Sequence, residues 1–304
     1  MLRRTSFLLI LFLLNCISAQ IQKPVSGKID LYRDFKSAFV TARNIEVWLP
    51  EGYSKEKQYA VLYMHDGQML FDSSTTWNKQ AWDMDDIAAG LMKKGETEDF
   101  IIVGVWNGGE TREIDYFPRK PLNIAIALAK SEGKIPIEEI EKIEKTFKPK
   151  SDDYLYFLVK ELKPFIDSVY SVYKDKGHTF IAGSSMGGLI SMYAVTEYPE
   201  VFGGAACIST HWPGTSNYPN NPMPRAFADY LKESLKKLDG NKLYFDHGDK
   251  TLDALYPPLQ AMINKVMESY PANLWKSLYF KGKDHSENSW KERVHIPLKF
   301  FFGK

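Results

Sequence analysis

The stretch Thr179-Phe180-Ile181-Ala182-Gly183-Ser184-Ser185-Met186-Gly187 decides how the chain is read: an apolar run ends in Gly-x-Ser-x-Gly, and a helix-like segment from Gly188 to Tyr198 follows at once. A strand that turns sharply into a helix crowds its own neighbours. Glycine at Gly183 and Gly187 removes the Cβ atoms that would collide, so the middle serine can be held in strained geometry. Ser185 is then lifted above the sheet edge, which is the arrangement of a nucleophile elbow. The backbone N–H of Met186, in the first helical turn, points to where an oxyanion would develop. A Gly/Ser-rich turn in any α/β protein would show the same letters; the strand before and the helix after favour the elbow.

On either side of this turn the pattern alternates. Ile29 to Tyr32 and Ile45 to Leu49 read as an opening antiparallel pair, and Tyr59 to Met64 as a buried strand. Strands are expected at Phe100 to Val105, His178 to Ala182, Gly204 to Ser209, Lys242 to Phe245 and Trp275 to Phe280. Helices are expected at Trp82 to Met92, Tyr154 to Tyr170, Arg225 to Leu238, Leu259 to Ser269 and Glu287 to Phe301. Such alternation gives the fold class: α/β, with a mostly parallel sheet flanked by helices. Pro121 to Asp152 interrupts the rhythm, and Ile137, Ile140, Ile143 and Phe147 have the spacing of a short amphipathic helix there. We read it as a helical insertion near the cleft, and Pro213 to Pro224 as an extended loop.

The N-terminus opens Met1-Leu2-Arg3-Arg4, continues through an apolar core from Phe7 to Leu14, and reaches Ser18-Ala19-Gln20. This describes a secretory signal peptide, residues 1–19, cut after Ala19; it is too short for a spanning helix. Asn15 stands where a small residue would precede a lipidated Cys16, which disfavours a lipoprotein. Residues 20–304 are then one domain of an exported protein, periplasmic or secreted. Its remaining cysteine, Cys207, lies in an apolar run and is expected to be buried and inert. With 39 Lys and Arg against 38 Asp and Glu, there is no electrostatic case for nucleic acid or an anionic membrane as partner.

A serine hydroxyl needs a base to take its proton. Of the six histidines, His65, His211, His247 and His285 fall at the C-terminal ends of expected strands, where active groups of α/β sheets collect. His285 follows the last strand and comes after the nucleophile and every acid candidate, as the chain order Ser, acid, His requires. The acid should leave the loop after Lys242 to Phe245. Asp246, Asp249 and Asp253 compete there. Asp246 also reads as a buried structural acceptor and Asp249 as a turn cap; Asp253 has a loop long enough to reach His285, so we take Asp253, with Asp249 as the alternative. The second oxyanion donor is assigned to the N–H of Gln68 in His65-Asp66-Gly67-Gln68, with Gly67 allowing the bend. His65, Asp66 and His211 lack metal-ligand spacing, so neither metal nor cofactor is expected.

These residues resemble the esterase D-like branch of α/β-hydrolases, which includes feruloyl esterases and trilactone siderophore (enterochelin-type) esterases. The likeness is carried by residues 61–72 (Val-Leu-Tyr-Met-His-Asp-Gly-Gln-Met-Leu-Phe-Asp), 102–107 (Ile-Val-Gly-Val-Trp-Asn) and 116–121 (Tyr-Phe-Pro-Arg-Lys-Pro). It is carried further by the elbow and by 285–290 (His-Ser-Glu-Asn-Ser-Trp). It implies an eight-stranded hydrolase sheet and a serine esterase mechanism without cofactor, with Ser185, His285, Gln68 and Met186 in the roles above. At the acid the chain departs from many relatives, placing Thr251 where they have Asp or Glu; Thr251-Leu252-Asp253-Ala254 resembles a subgroup pattern that supports Asp253.

The expected activity is hydrolysis of a small-molecule or carbohydrate ester, feruloyl or acetyl. A trilactone siderophore esterase or an acyltransferase on the same scaffold are the alternatives, since mycolyltransferases resemble this branch too. Asp66, Trp106, Arg112, His211, Trp212 and Trp290 are the candidate substrate contacts, each with packing or an ordinary ion pair as the competing reading.

Overall fold

The computed structural model describes residues 22–214 and 219–304. The leader, Cys16 and the middle of the 213–224 loop lie outside the described residues. The strands are β1 (Lys28–Phe35), β2 (Arg43–Leu49), β3 (Ala60–His65), β4 (Phe100–Val105), β5 (Thr179–Ser184), β6 (Gly204–Ile208), β7 (Lys242–His247) and β8 (Trp275–Tyr279). They form one eight-stranded sheet in the order β1-β2-β4-β3-β5-β6-β7-β8. β1 and β2 are antiparallel to their neighbours and the other pairs are parallel, so the expected mostly parallel sheet is what the chain builds.

Both faces are covered, which is why the central strands read as continuous apolar runs rather than alternating ones. Val61, Tyr63, Val103 and Ile181 enter one core; Leu62, Met64, Ile102 and Ala182, one residue out of phase, enter the other. The helices are α1 (Met84–Lys93), α2 (Arg112–Tyr116), α3 (Arg119–Glu132), α4 (Ile137–Thr146), α5 (Ser151–Tyr156), α6 (Lys163–Val169), α7 (Met186–Glu197), α8 (Met223–Ser234), α9 (Tyr256–Met267), α10 (Glu287–Lys291) and α11 (His295–Phe302). α7 is buried from Gly187 to Thr196, so the helix that opens at Ser185 is anchored by packing along its length. Each large apolar side chain buried there contributes roughly 1.5–3 kcal/mol.

Three expectations are revised. The helix expected from Tyr154 to Tyr170 is α5, a π-helical turn at Phe157–Leu162, and α6. Pro164 lacks an N–H and crowds the carbonyl four residues back, so the turn before it widens. The last helix divides into α10 and α11, because Pro297 is tolerated in a first helical turn but not in an interior. The insertion holds two helices, α3 and α4, where one short helix was expected; Pro121 stands in the first turn of α3. Ile140 and Ile143 of α4 meet Leu122, Ala125 and Met223 around an apolar cavity of about 210 Å³. No insertion residue lines the cleft that holds Ser185.

Candidate active site

β5 ends at Ser184, and the next residue, Ser185, has φ 58° and ψ −120°, a conformation that an L-residue holds only under strain. Its N–H donates to the Ile208 carbonyl on β6 (2.9 Å), and its own carbonyl accepts from Gly188 (3.0 Å) and His211 (3.2 Å). The turn closes so tightly that a Cβ on Gly183 would lie 2.8 Å from the Gly187 backbone. The strain is thus imposed by β5, β6 and α7 together, and it projects the side chain into a cleft of about 590 Å³ that His285 also lines.

His285 comes from the loop after β8. Its Nδ1 is 2.6 Å from Asp253 Oδ1, and Asp253 is fully buried. The other carboxylate oxygen accepts from Ser209 Oγ and from the Gly248 N–H, both at 2.6 Å. Burial pushes the Asp253 carboxyl up, but the hydrogen bonds from His285, Ser209 and Gly248 outweigh it and hold the group below the usual carboxylate range. Asp249 does different work. It is half-buried, accepts from Tyr279 Oη (2.5 Å) and the Gly282 N–H (2.8 Å), and its own N–H donates to the Lys283 carbonyl (2.9 Å). It ties the β7 loop to the loop carrying His285 without touching the imidazole. Asp246 is buried among Tyr244 Oη, Arg293 and the Ser209 N–H. Arg293 also donates to Ser209 Oγ, so Asp246 supports the Asp253 cradle from below.

Among the described residues no hydrogen bond joins Ser185 to His285. The Ser185 side chain instead lies against the phenol of Tyr256, the first residue of α9. Substrate-free serine hydrolases often have such loose catalytic contacts, which tighten only when substrate binds.

On the other side of Ser185, neither the Gln68 nor the Met186 N–H donates to an acceptor among the described residues. Gly187 packs against His65 and Asp66, which brings the two donor turns together. The bend here is made by Asp66, at φ 55°, and not by Gly67. Gly67 is needed for a different reason: a Cβ there would lie 2.6 Å from the Gly104 backbone.

The remaining candidates fall into two groups. Asp66 and Arg112 line the cleft but hold each other in a two-pronged ion pair at 2.7 and 2.8 Å, with Asn107 on the same carboxylate. Trp290 also lines it, stacked on Trp82 and edge-on to the His285 ring at 4.9 Å. Trp106, Trp212 and His211 are not in the cleft wall. Trp106 donates to the buried Glu46, Trp212 to Gln260, and His211 Nδ1 pairs with Tyr256 Oη at 2.8 Å. His65 is buried, with Nδ1 on Tyr154 Oη (2.9 Å), and burial lowers its pKa to about 3 despite the nearby Asp66. His65, Asp66 and His211 are therefore each committed to a different protein partner.

Two side chains escaped the sequence reading. Trp77 lies 85% exposed at the cleft wall, and the signal was a lone tryptophan in the polar run Ser73-Ser74-Thr75-Thr76-Trp77-Asn78. Tyr256 carried no local signal, since its place beside Ser185 depends on how α9 docks.

An α/β-hydrolase is what this strand order and elbow define. Residues 37–298 match the family described as "Putative esterase", and the chain belongs to that family. Over 162 residues the chain is 29% identical to an endo-1,4-beta-xylanase/feruloyl esterase of Xylanibacter ruminicola, covering 52% of this chain and 18% of that protein. It spans 18% to 60% of the length of the curated relatives it matches. Among solved structures, an IroE-like serine hydrolase from Shewanella oneidensis superposes with TM-score 0.63 and 20% identity, covering 90% of this chain and 80% of that one. A ferulic acid esterase from Anaeromyces mucronatus, in complex with ferulic acid, superposes with TM-score 0.60 and 18% identity over 94% of each chain. At these identities the likeness to the solved structures is one of fold.

Proposed function

We propose that the chain is an exported serine esterase that opens carbohydrate-linked feruloyl or acetyl esters through Ser185, His285 and Asp253. The observation that carries the reading is the strained Ser185 sharing one cleft with a histidine whose Nδ1 is held at 2.6 Å by a buried carboxylate. Substrate turns the Ser185 hydroxyl towards His285 Nε2, which takes the proton as Oγ attacks the ester carbonyl. The N–H groups of Met186 and Gln68 receive the oxyanion, and His285 returns its proton to the leaving alcohol. Water then repeats the sequence on the acyl-enzyme. Asp253 fixes the imidazole tautomer and stabilises the imidazolium.

Charge favours a neutral ester over an anionic siderophore. Arg112 is the one lysine or arginine in the described cleft wall, and Asp66 already neutralises it, while Glu287 adds negative charge. Trp77 offers a flat exposed face for an aromatic acyl group or a sugar ring. Methyl ferulate, acetylated xylan and a trilactone siderophore, assayed side by side, test the assignment. The carbohydrate-linked reading expects kcat/KM for the ferulate or acetate at least about tenfold above the trilactone, a difference of about 1.4 kcal/mol. The reverse order would overturn it. Export rests on the Arg3-Arg4, Phe7–Leu14 and Ala19 pattern at the N-terminus.

A further inference from the structure

We infer that Tyr256 is a positioning donor on Ser185 Oγ, oriented by His211, and that it acts chiefly when the acyl-enzyme is hydrolysed. The inference rests on Ser185 being the nucleophile, and it adds a part that the Ser185, His285 and Asp253 roles do not contain.

Its basis is a closed ring of contacts around the serine. The His211 N–H donates to the Ser185 carbonyl at 3.2 Å, the His211 Nδ1 meets Tyr256 Oη at 2.8 Å, and that phenol lies against the Ser185 side chain. The Tyr256 ring is also edge-on to His285, centroids 5.8 Å apart, and fully buried. Tyr256 is therefore held between His211 and His285. It stands at the start of α9, and Asp253 lies just upstream in the Thr251–Leu255 turn, so one short segment delivers both.

A phenol has one proton to give. If His211 Nδ1 carries hydrogen, it donates to Tyr256 Oη, and the Tyr256 proton goes to Ser185 Oγ. The Ser185 proton is then left for His285. The opposite arrangement would aim the serine proton at Tyr256, away from the base. Burial, with the Asp253 charge adding to it, raises the Tyr256 pKa well above the usual phenol value, so the group stays a proton donor at working pH.

The two half-reactions use this donor unequally. In acylation, Oγ attacks, and a hydrogen bond received by the attacking oxygen withdraws electron density from it, so the donor brings little net gain. In deacylation, water attacks the acyl carbon and gives its proton to His285 Nε2. The C–Oγ bond then breaks, and its electron pair stays on Oγ, which takes the proton back from His285. A donor already aimed at Oγ stabilises the charge that grows there as the bond breaks.

Tyr256→Phe keeps the ring and removes the hydroxyl. With a p-nitrophenyl ester, whose good leaving group makes deacylation limiting, kcat should fall about 10- to 100-fold, the lower end of what a lost oxyanion donor costs. KM should fall by a similar factor, so that kcat/KM stays within about threefold and a stoichiometric burst of p-nitrophenol appears. Labelling by a fluorophosphonate, which requires attack alone, should proceed at the wild-type rate and also shows that the variant is folded. An equal fall in kcat and kcat/KM, slowed labelling, or unchanged kinetics would each overturn the inference. Failure of the wild-type chain to label would instead overturn the assignment of Ser185 as nucleophile.

Discussion

Which aspartate serves the histidine is decided by one hydrogen bond, since both candidates sit in the same loop. Asp253 is buried on His285 Nδ1, and Asp249 is spent on Tyr279 and Gly282. Asp253→Asn should cut kcat by about 1,000-fold or more, the scale seen when a triad acid is neutralised. Asp249→Asn should change it by less than about tenfold, because it loosens a loop without altering the imidazole. Steady-state hydrolysis of one short ester by both variants separates the roles, and the reverse ranking would move the acid to Asp249. The same loop shows what the sequence carried. Spacing and strand order narrowed the acid to three residues and loop length favoured Asp253, but the positive φ of Thr251 and its Oγ1 accepting from the His285 N–H, which hold the two loops together, are revealed by no pattern of letters. His65 yields a second prediction. Its folded pKa is lowered from 6.5 to about 3, so in this window the unfolded chain binds the extra proton and stability falls as pH falls. Between pH 6.5 and 5 the urea midpoint should drop, with His65 contributing up to roughly 1 kcal/mol per pH unit, and His65→Gln should flatten that slope.

Elements are held by backbone contacts that glycine permits. Gly183→Ala places a methyl 2.8 Å from the Gly187 backbone at the elbow and should cost about 1–3 kcal/mol of stability. Gly90→Ala, in α1 with nothing within 4 Å, should instead stabilise by up to about 1 kcal/mol. Denaturant midpoints for the pair give the comparison, and a harmless Gly183→Ala would contradict the tight turn. At this scale most strands and helices could be read in the chain, because apolar runs bounded by Gly and polar residues report burial directly. The failures share a cause. Pro164 and Pro297 lie inside apolar periodic stretches that read as single helices, yet each interrupts the α-helical hydrogen bonding before it, so the first stretch widens into a π-helical turn and the second divides in two.

For the whole molecule, the strand order brings the ends of β3, β5, β6, β7 and β8 to one edge, and residues far apart in sequence meet there. The elbow, the Asp66 turn and the Asp253 and His285 loops gather because parallel strands all deliver their C-terminal ends to the same side. That gathering was legible, since it follows from alternation alone. The cleft wall was legible only in part: Asp66, Arg112 and Trp290, singled out in the sequence, line it, but Trp77, Asn78, Gln80 and Glu287 do so as well, while the insertion helices enclose a separate apolar cavity. Among the described residues no helix is long and apolar enough to cross a membrane. Everything proposed for this edge depends on Ser185 forming an acyl-enzyme. Treating the full chain with a fluorophosphonate and locating the adduct by peptide mass spectrometry tests that most directly, with Ser185→Ala assayed in parallel on a p-nitrophenyl ester. The account predicts one adduct, on the Ser185 peptide, and a loss of about 1,000-fold or more in kcat for the variant. Full hydrolysis by Ser185→Ala, or an adduct on another residue, would contradict it.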